Sequence, residues 1–156
     1  MQRLAGYPRW FHPVLLGILA LLFGTGIALV PPMLDMRLDM DVPWQLDAGT
    51  RLACAVWHAA AAFVAVGLSG ALLAIHTRIG WRRRLNRISG TALLALMVIL
   101  LSTGLGLYYA GAEAWILASS AAHAGLGILS APVFVWHLFR GRRLRRDPAL
   151  WKHAGD

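Results

Sequence analysis

Five of the six histidines in this 156-residue chain, His12, His58, His76, His123 and His137, fall within or at the ends of long apolar stretches; the sixth, His153, lies in a polar tail. An ionisable side chain in a bilayer is costly, so it usually faces a protein interior and has a task there. The same stretches hold almost no Asp, Glu, Lys or Arg. A proton or ion path would normally include a buried carboxylate, so a cofactor that takes neutral imidazole as its ligand suits this composition better. The only cysteine, Cys54, excludes a disulfide framework, a cysteine-based zinc or iron–sulfur site and the two-cysteine attachment of c-type haem. Cys54 itself reads as a small apolar helix residue, and any haem here would be of the b type.

The elements that must carry these histidines are membrane helices. The chain is 58% hydrophobic and only 14% charged, with a mean hydropathy of +0.60, too apolar for an ordinary soluble domain. A spanning helix needs about 20 mainly apolar residues. Four stretches qualify, at roughly 10–30, 52–77, 88–110 and 114–139. Pro31-Pro32 is expected to end the first, the arginine-rich segment 78–87 to separate the second from the third, Gly111-Ala112-Glu113 to turn the third into the fourth, and Arg140-Gly141-Arg142-Arg143 to stop the last. Arg3 and Arg9 precede the first stretch without a small-residue cleavage site after it, so it reads as a retained helix. The expected fold is an all-α, four-helix integral membrane bundle, residues 1–156 forming one domain.

Lys and Arg mark the cytoplasmic side. One side holds Arg3, Arg9, Arg78, Arg82, Arg83, Arg84, Arg87, Arg140, Arg142, Arg143, Arg145, Arg146 and Lys152, against Arg37 and Arg51 on the other, which is 13 of the 15 basic residues. Both termini are then cytoplasmic, and helices two and four run parallel. The loop 31–51, with Asp35, Asp39, Asp41 and Asp47, is the acidic outer face. The net charge of +8 sits in short clusters between spans, a pattern that suits topology and anionic lipid rather than nucleic acid.

His123 and His137 are fourteen residues apart, about 40° short of alignment and roughly 21 Å along one helix, a spacing that stacks two haems across a membrane core. His58 and His123 each lie roughly 10 Å inside the outer end of their helices, where they can share one iron. Two residues compete to join His137 at the inner iron. His12 lies roughly 18 Å deeper than His58, whereas His76, eighteen residues after His58 and on the same face, lies about 27 Å deeper. The drop of about 21 Å from His123 to His137 matches His12 better, and helix tilt can absorb part of the difference for His76. A lone histidine on an apolar helix is more often a hydrogen-bonded interior residue; pairing by depth is what argues for ligation. His76-Thr77-Arg78 also suits a headgroup boundary.

A weak internal repeat accompanies the pairs: Phe23-Gly24-Thr25-Gly26 in the first helix and Leu101-Ser102-Thr103-Gly104 in the third, each followed by a helix with a histidine near its outer end. Close helix packing explains Gly and Thr equally well. Trp10, Trp44, Trp81, Trp115 and Trp151 suit an aromatic belt, Tyr108-Tyr109 marks the outer interface, and Trp57 and Trp136 precede ligand candidates.

Arg9-Trp10-Phe11-His12 followed by Thr25-Gly26, Arg51 with His58, and the His123–His137 interval with Thr103-Gly104 together resemble the bacterial four-helix di-haem cytochromes b. That family includes the gamma subunit of respiratory formate dehydrogenase and the cytochrome b subunit of nickel–iron hydrogenase. The resemblance implies two haem b groups, the outer held by His58 and His123 and the inner by His12 and His137. It also implies a quinone site near the inner haem, where Asn86 or Arg87 would bond a quinone oxygen. Pro13 stands where the family often has Trp, the chain is shorter, and Pro132 interrupts helix four and is expected to kink it. In a related group of small membrane cytochromes, helices two and four carry two histidines each; under that pattern His76 replaces His12.

The expected function is electron transfer across a bacterial inner membrane between a periplasmic redox protein or dehydrogenase subunit and quinone, with the acidic loop as docking surface. A stand-alone enzyme acting on a small molecule such as superoxide is one alternative. A non-haem transporter or scaffold, which would be colourless, is the other.

Overall fold

The computed structural model describes residues 6–82 and 86–146, and among these there is no strand. Arg3, Arg83, Arg84, Trp151, Lys152 and His153 lie outside the described residues, as do the side chains of Arg145 and Arg146. The helices are α1 (Phe11–Ala28), α2 (Val30–Leu38), α3 (Ala48–Leu72), α4 (Arg78–Arg82), α5 (Arg87–Tyr109) and α6 (Glu113–Arg146), with a π turn, Leu73–Thr77, between α3 and α4. Four helical stretches are long and apolar enough to cross a membrane: Phe11–Leu38, Ala48–Arg82, Arg87–Tyr109 and Glu113–Leu144.

Four boundaries differ from expectation. Pro31-Pro32 does not end the first helical path; the two prolines occupy the opening turn of α2, where the missing N–H costs no helical bond, and α2 carries on to Leu38 after a break at Leu29. Asp39 closes α2 in the left-handed conformation, φ 49°, a place that glycine more often fills. The second helical path starts earlier than expected because Asp47 caps α3, its carboxylate accepting from the Thr50 N–H at 3.0 Å. The arginine segments expected to separate or stop helices are themselves helical in part: the second path carries on to Arg82, and α6 continues without an assigned break through Pro132 and Arg140-Gly141-Arg142-Arg143 to Arg146.

Helix α1 packs on α3, and α5 on α6, so the chain makes two helical hairpins. The buried positions fit close approach. Ala61 and Ala65 lie one turn apart on α3 and Phe11 and Leu15 one turn apart on α1, while Ser89 on α5 and Ser120 on α6 are the buried polar residues among those described. Backbone contact between α3 and α6 is sparse beside that within either hairpin. What reaches across between them is imidazole.

Candidate functional site: two histidine pairs held from behind

The rings of His58 on α3 and His123 on α6 have centroids 6.1 Å apart, with planes at 76°. A second pair repeats this: His76 in the π turn and His137 on α6 stand 6.1 Å apart at 71°. Outer and inner pairs are therefore built from the same two helical paths. Among the described residues no three His, Cys, Asp or Glu side chains converge, so the arrangement is two pairs and not a multidentate cluster.

Each of three rings is gripped by a hydroxyl–glycine dipeptide on the neighbouring helix. Thr25 Oγ1 lies 2.9 Å from His58 Nδ1, and a Cβ on Gly26 would come within 3.2 Å of His58 Cε1. Thr103 Oγ1 lies 3.1 Å from His123 Nδ1, and a Cβ on Gly104 would be 3.3 Å from His123 Cε1. Ser89 Oγ lies 3.0 Å from His137 Nδ1, with Gly90 at a looser 3.8 Å from Cε1. The hydroxyl fixes the ring's rotation, and the missing side chain on the next residue leaves room for its edge.

The bonds also fix which ring nitrogen carries hydrogen. The carbonyl oxygen of Leu100, 3.1 Å from His123 Nδ1, only accepts, so Nδ1 is the N–H. Thr25 donates its one hydroxyl hydrogen to Leu21 O at 2.6 Å and so accepts from His58 Nδ1–H. At His137 two groups face Nδ1, the Ser89 hydroxyl at 3.0 Å and the Asn86 amide nitrogen, which only donates, at 3.2 Å. In both outer rings Nε2 is left with its lone pair, the state in which an imidazole ligates a metal, and an Nδ1–H bonded to oxygen raises its basicity as a ligand.

The inner pair contains His76, and the contact expected for His12 at His137 is the one His76 makes. The depth arithmetic that favoured His12 treated every helix as a straight, ideal α-helix. A π turn winds more residues into each turn, which shortens the climb towards His76 and turns its side chain about the axis. His12 is half-buried, and its Nδ1, out of contact with solvent, has no hydrogen-bond partner.

Asn86 and Arg87, the residues expected to meet a quinone, have their polar groups turned elsewhere. The Asn86 amide donates to His137 O at 3.1 Å while its oxygen accepts from Ser89, so Asn86 belongs to the support of His137. The Arg87 guanidinium bonds the Trp81 carbonyl and lies 5.0 Å from the Trp81 ring centroid. Trp57 is exposed, and Trp136 carries Arg140 over its ring at 5.9 Å.

Ser89 is the functional residue that sequence reasoning missed. A signal was there: Ser89-Gly90 lies fourteen residues before Thr103-Gly104, matching the interval from His123 to His137 on the antiparallel neighbour. Compared with models of known families, with curated proteins and with solved structures, the chain matches none.

Proposed function

We propose that the chain is a di-haem b-type membrane cytochrome that passes electrons across the bacterial inner membrane between a periplasmic redox partner and the quinone pool, akin to the cytochrome b family it resembles. The observation that carries this reading is the spacing of the two histidine pairs. An imidazole nitrogen binds a first-row metal at about 2.0–2.1 Å, so two rings on opposite sides of one metal have centroids about 6.3 Å apart; both pairs stand at 6.1 Å. The pairing needs only two protein donors per metal, as suits a metal whose other ligands come with a macrocycle.

Haem b would supply reversible one-electron chemistry, with His58 and His123 holding one group and His76 and His137 the other, which suits electron transfer rather than direct substrate binding. The protein's own part is orientation. Thr25 and Thr103 hold the Nδ1–H groups of the outer pair and aim their Nε2 atoms, Ser89 and Asn86 hold the His137 ring, and the sparse contact between α3 and α6 leaves width for a flat ligand. Helices packed directly on each other lie about 8–10 Å apart. On the face of α6 that carries His123, a Cβ on Gly127 would meet nothing within 4 Å.

Contacts made in the same order along both paths, His58 with His123 and then His76 with His137, are the pattern parallel helices give. Arginine placement supports cytoplasmic termini, with Arg9, Arg78, Arg82, Arg87, Arg140, Arg142 and Arg143 on one side and Arg37 and Arg51 on the other. The acidic residues Asp35, Asp39, Asp41 and Asp47 then lie on the periplasmic face as the docking surface for the redox partner. A reduced-minus-oxidised spectrum of the detergent-purified chain, with haem measured per protein, tests the reading. About two haems per chain is the expected result. A colourless preparation reconstituted with excess haem and still showing no absorbance near the haem bands would overturn it.

A further inference from the structure

Three of the four paired histidines have a hydroxyl on the neighbouring helix. The fourth, His76, has one at the matching position that the sequence motif conceals. Ser89 lies fourteen residues before Thr103, and His137 lies fourteen after His123. Tyr7 lies eighteen residues before Thr25, and His76 lies eighteen after His58. Tyr7 therefore occupies, in the first hairpin, the register that Ser89 occupies in the second.

Its contacts differ from those of Ser89. The Tyr7 hydroxyl donates to Ala71 O at 2.9 Å and accepts from the backbone N–H of His76 at 3.2 Å. Ala71 and His76 are five residues apart, the spacing of one π rung, so the phenol bridges the two ends of a widened helical turn. A side chain inserted into a helix's hydrogen-bond ladder is a recognised cause of such local distortion. The rest of the segment is braced around it. Gly6, at φ 93°, sits where a Cβ would come within 3.2 Å of Ile75 Cγ2. The Tyr7 ring stacks on Phe11 at 4.3 Å, and Phe11 is buried.

We propose that Tyr7 is a positioning residue for the inner histidine pair: its hydroxyl holds the Leu73–Thr77 turn in the π form and so sets His76 against His137. This rests on the di-haem reading above. Replacing Tyr7 with Phe removes one oxygen and keeps the stack on Phe11. The turn then relaxes towards α-helical pairing, and His76 shifts along and around the helix away from His137.

The test uses the full chain in detergent, as wild type, Tyr7→Phe and Gly6→Ala, the last displacing the same segment from Ile75 with the hydroxyl intact. Haem per protein, the redox titration of each haem and amide hydrogen exchange over residues 73–77 are measured on each. Both variants are expected to weaken binding of one haem by on the order of ten- to a hundredfold, as loss of a ligand's outer support does. They should shift that haem's midpoint, speed exchange across the turn and leave the other haem as in wild type. Two haems with unchanged midpoints and unchanged exchange in Tyr7→Phe overturn the inference and leave the cytochrome reading standing. Equal loss of both haems in both variants also overturns it, because the segment would then serve the whole fold. A wild-type chain that binds no haem overturns the cytochrome reading itself, and with it the role in ligation.

Discussion

The Thr103 hydroxyl and His123 Nδ1 stand 3.1 Å apart, and that same nitrogen is 3.1 Å from the carbonyl oxygen of Leu100. His58 is held in the same way, by Thr25 at 2.9 Å and by the backbone of Leu22, three residues before Thr25 as Leu100 is before Thr103. Replacing either hydroxyl should therefore loosen its ring to a similar degree. Thr25→Val is expected to weaken the outer haem by roughly tenfold or more and to raise its midpoint potential, since an imidazole that loses its Nδ1–H acceptor becomes a poorer donor to ferric iron. Thr103→Val should act on His123 to a similar degree, because each ring keeps one backbone carbonyl, and Thr25→Ser should restore wild-type behaviour. Potentiometric titration of the haem bands reads all three.

The glycines beside the rings make a graded prediction. A Cβ at Gly26 or Gly104 would lie 3.2 or 3.3 Å from a histidine Cε1, and at Gly90 3.8 Å. Gly26→Ala and Gly104→Ala are expected to push the outer rings and broaden or shift their reduced spectrum, while Gly90→Ala should bind the inner haem normally. Misplacing an axial ligand by a few tenths of an ångström shows in the spectrum before it shows in stoichiometry. Equal effects at all three positions would count against the cradle.

His76→Ala should lose one haem per chain and keep the other. His12→Ala should keep both, because the ring set against His137 is that of His76. The reverse outcome, measured as haem per protein, would restore His12 as the axial ligand.

Asp47 carries the one pH-dependent prediction. Its carboxylate caps α3, and the bond from Thr50 holds its pKa below the ordinary value of 3.8. A carboxylate depressed in the folded state adds stability that is fully present above its unfolded value and is lost as pH falls through the lower folded value. The difference in melting temperature between wild type and Asp47→Ala should thus be constant from neutral pH down to mildly acidic conditions. It should shrink only below about pH 4. A difference that grows on acidification would contradict the cap.

The four apolar stretches could be read from composition alone, because length and hydropathy report directly on what a bilayer will hold. The outer pair was also accessible, since His58 and His123 sit at equal depth on regular helix. The inner pair was harder for one physical reason. Helical arithmetic carries a position forward only while the winding stays constant, and the π turn that contains His76 breaks that condition. A π turn leaves no mark in residue types, and its cause here, Tyr7, lies 69 residues away in sequence. The prolines misled in another way: Pro31-Pro32 can stop a helix or open one, and the next residues, helical up to Leu38, decide. Asn86 was expected beside a quinone; its left-handed backbone, φ 53°, and its bonds to His137 appear only in three dimensions.

Most close packing lies within α1–α3 and within α5–α6, while α6 also meets α1 and α2 along a smaller seam. Each hairpin can thus begin to form once its second helix has left the ribosome, and the seam joins the two when α6 emerges. On the cytochrome reading, haem completes a union that protein contact has begun, so a cell starved of haem would hold the hairpins together by that seam alone, a natural target for membrane quality control.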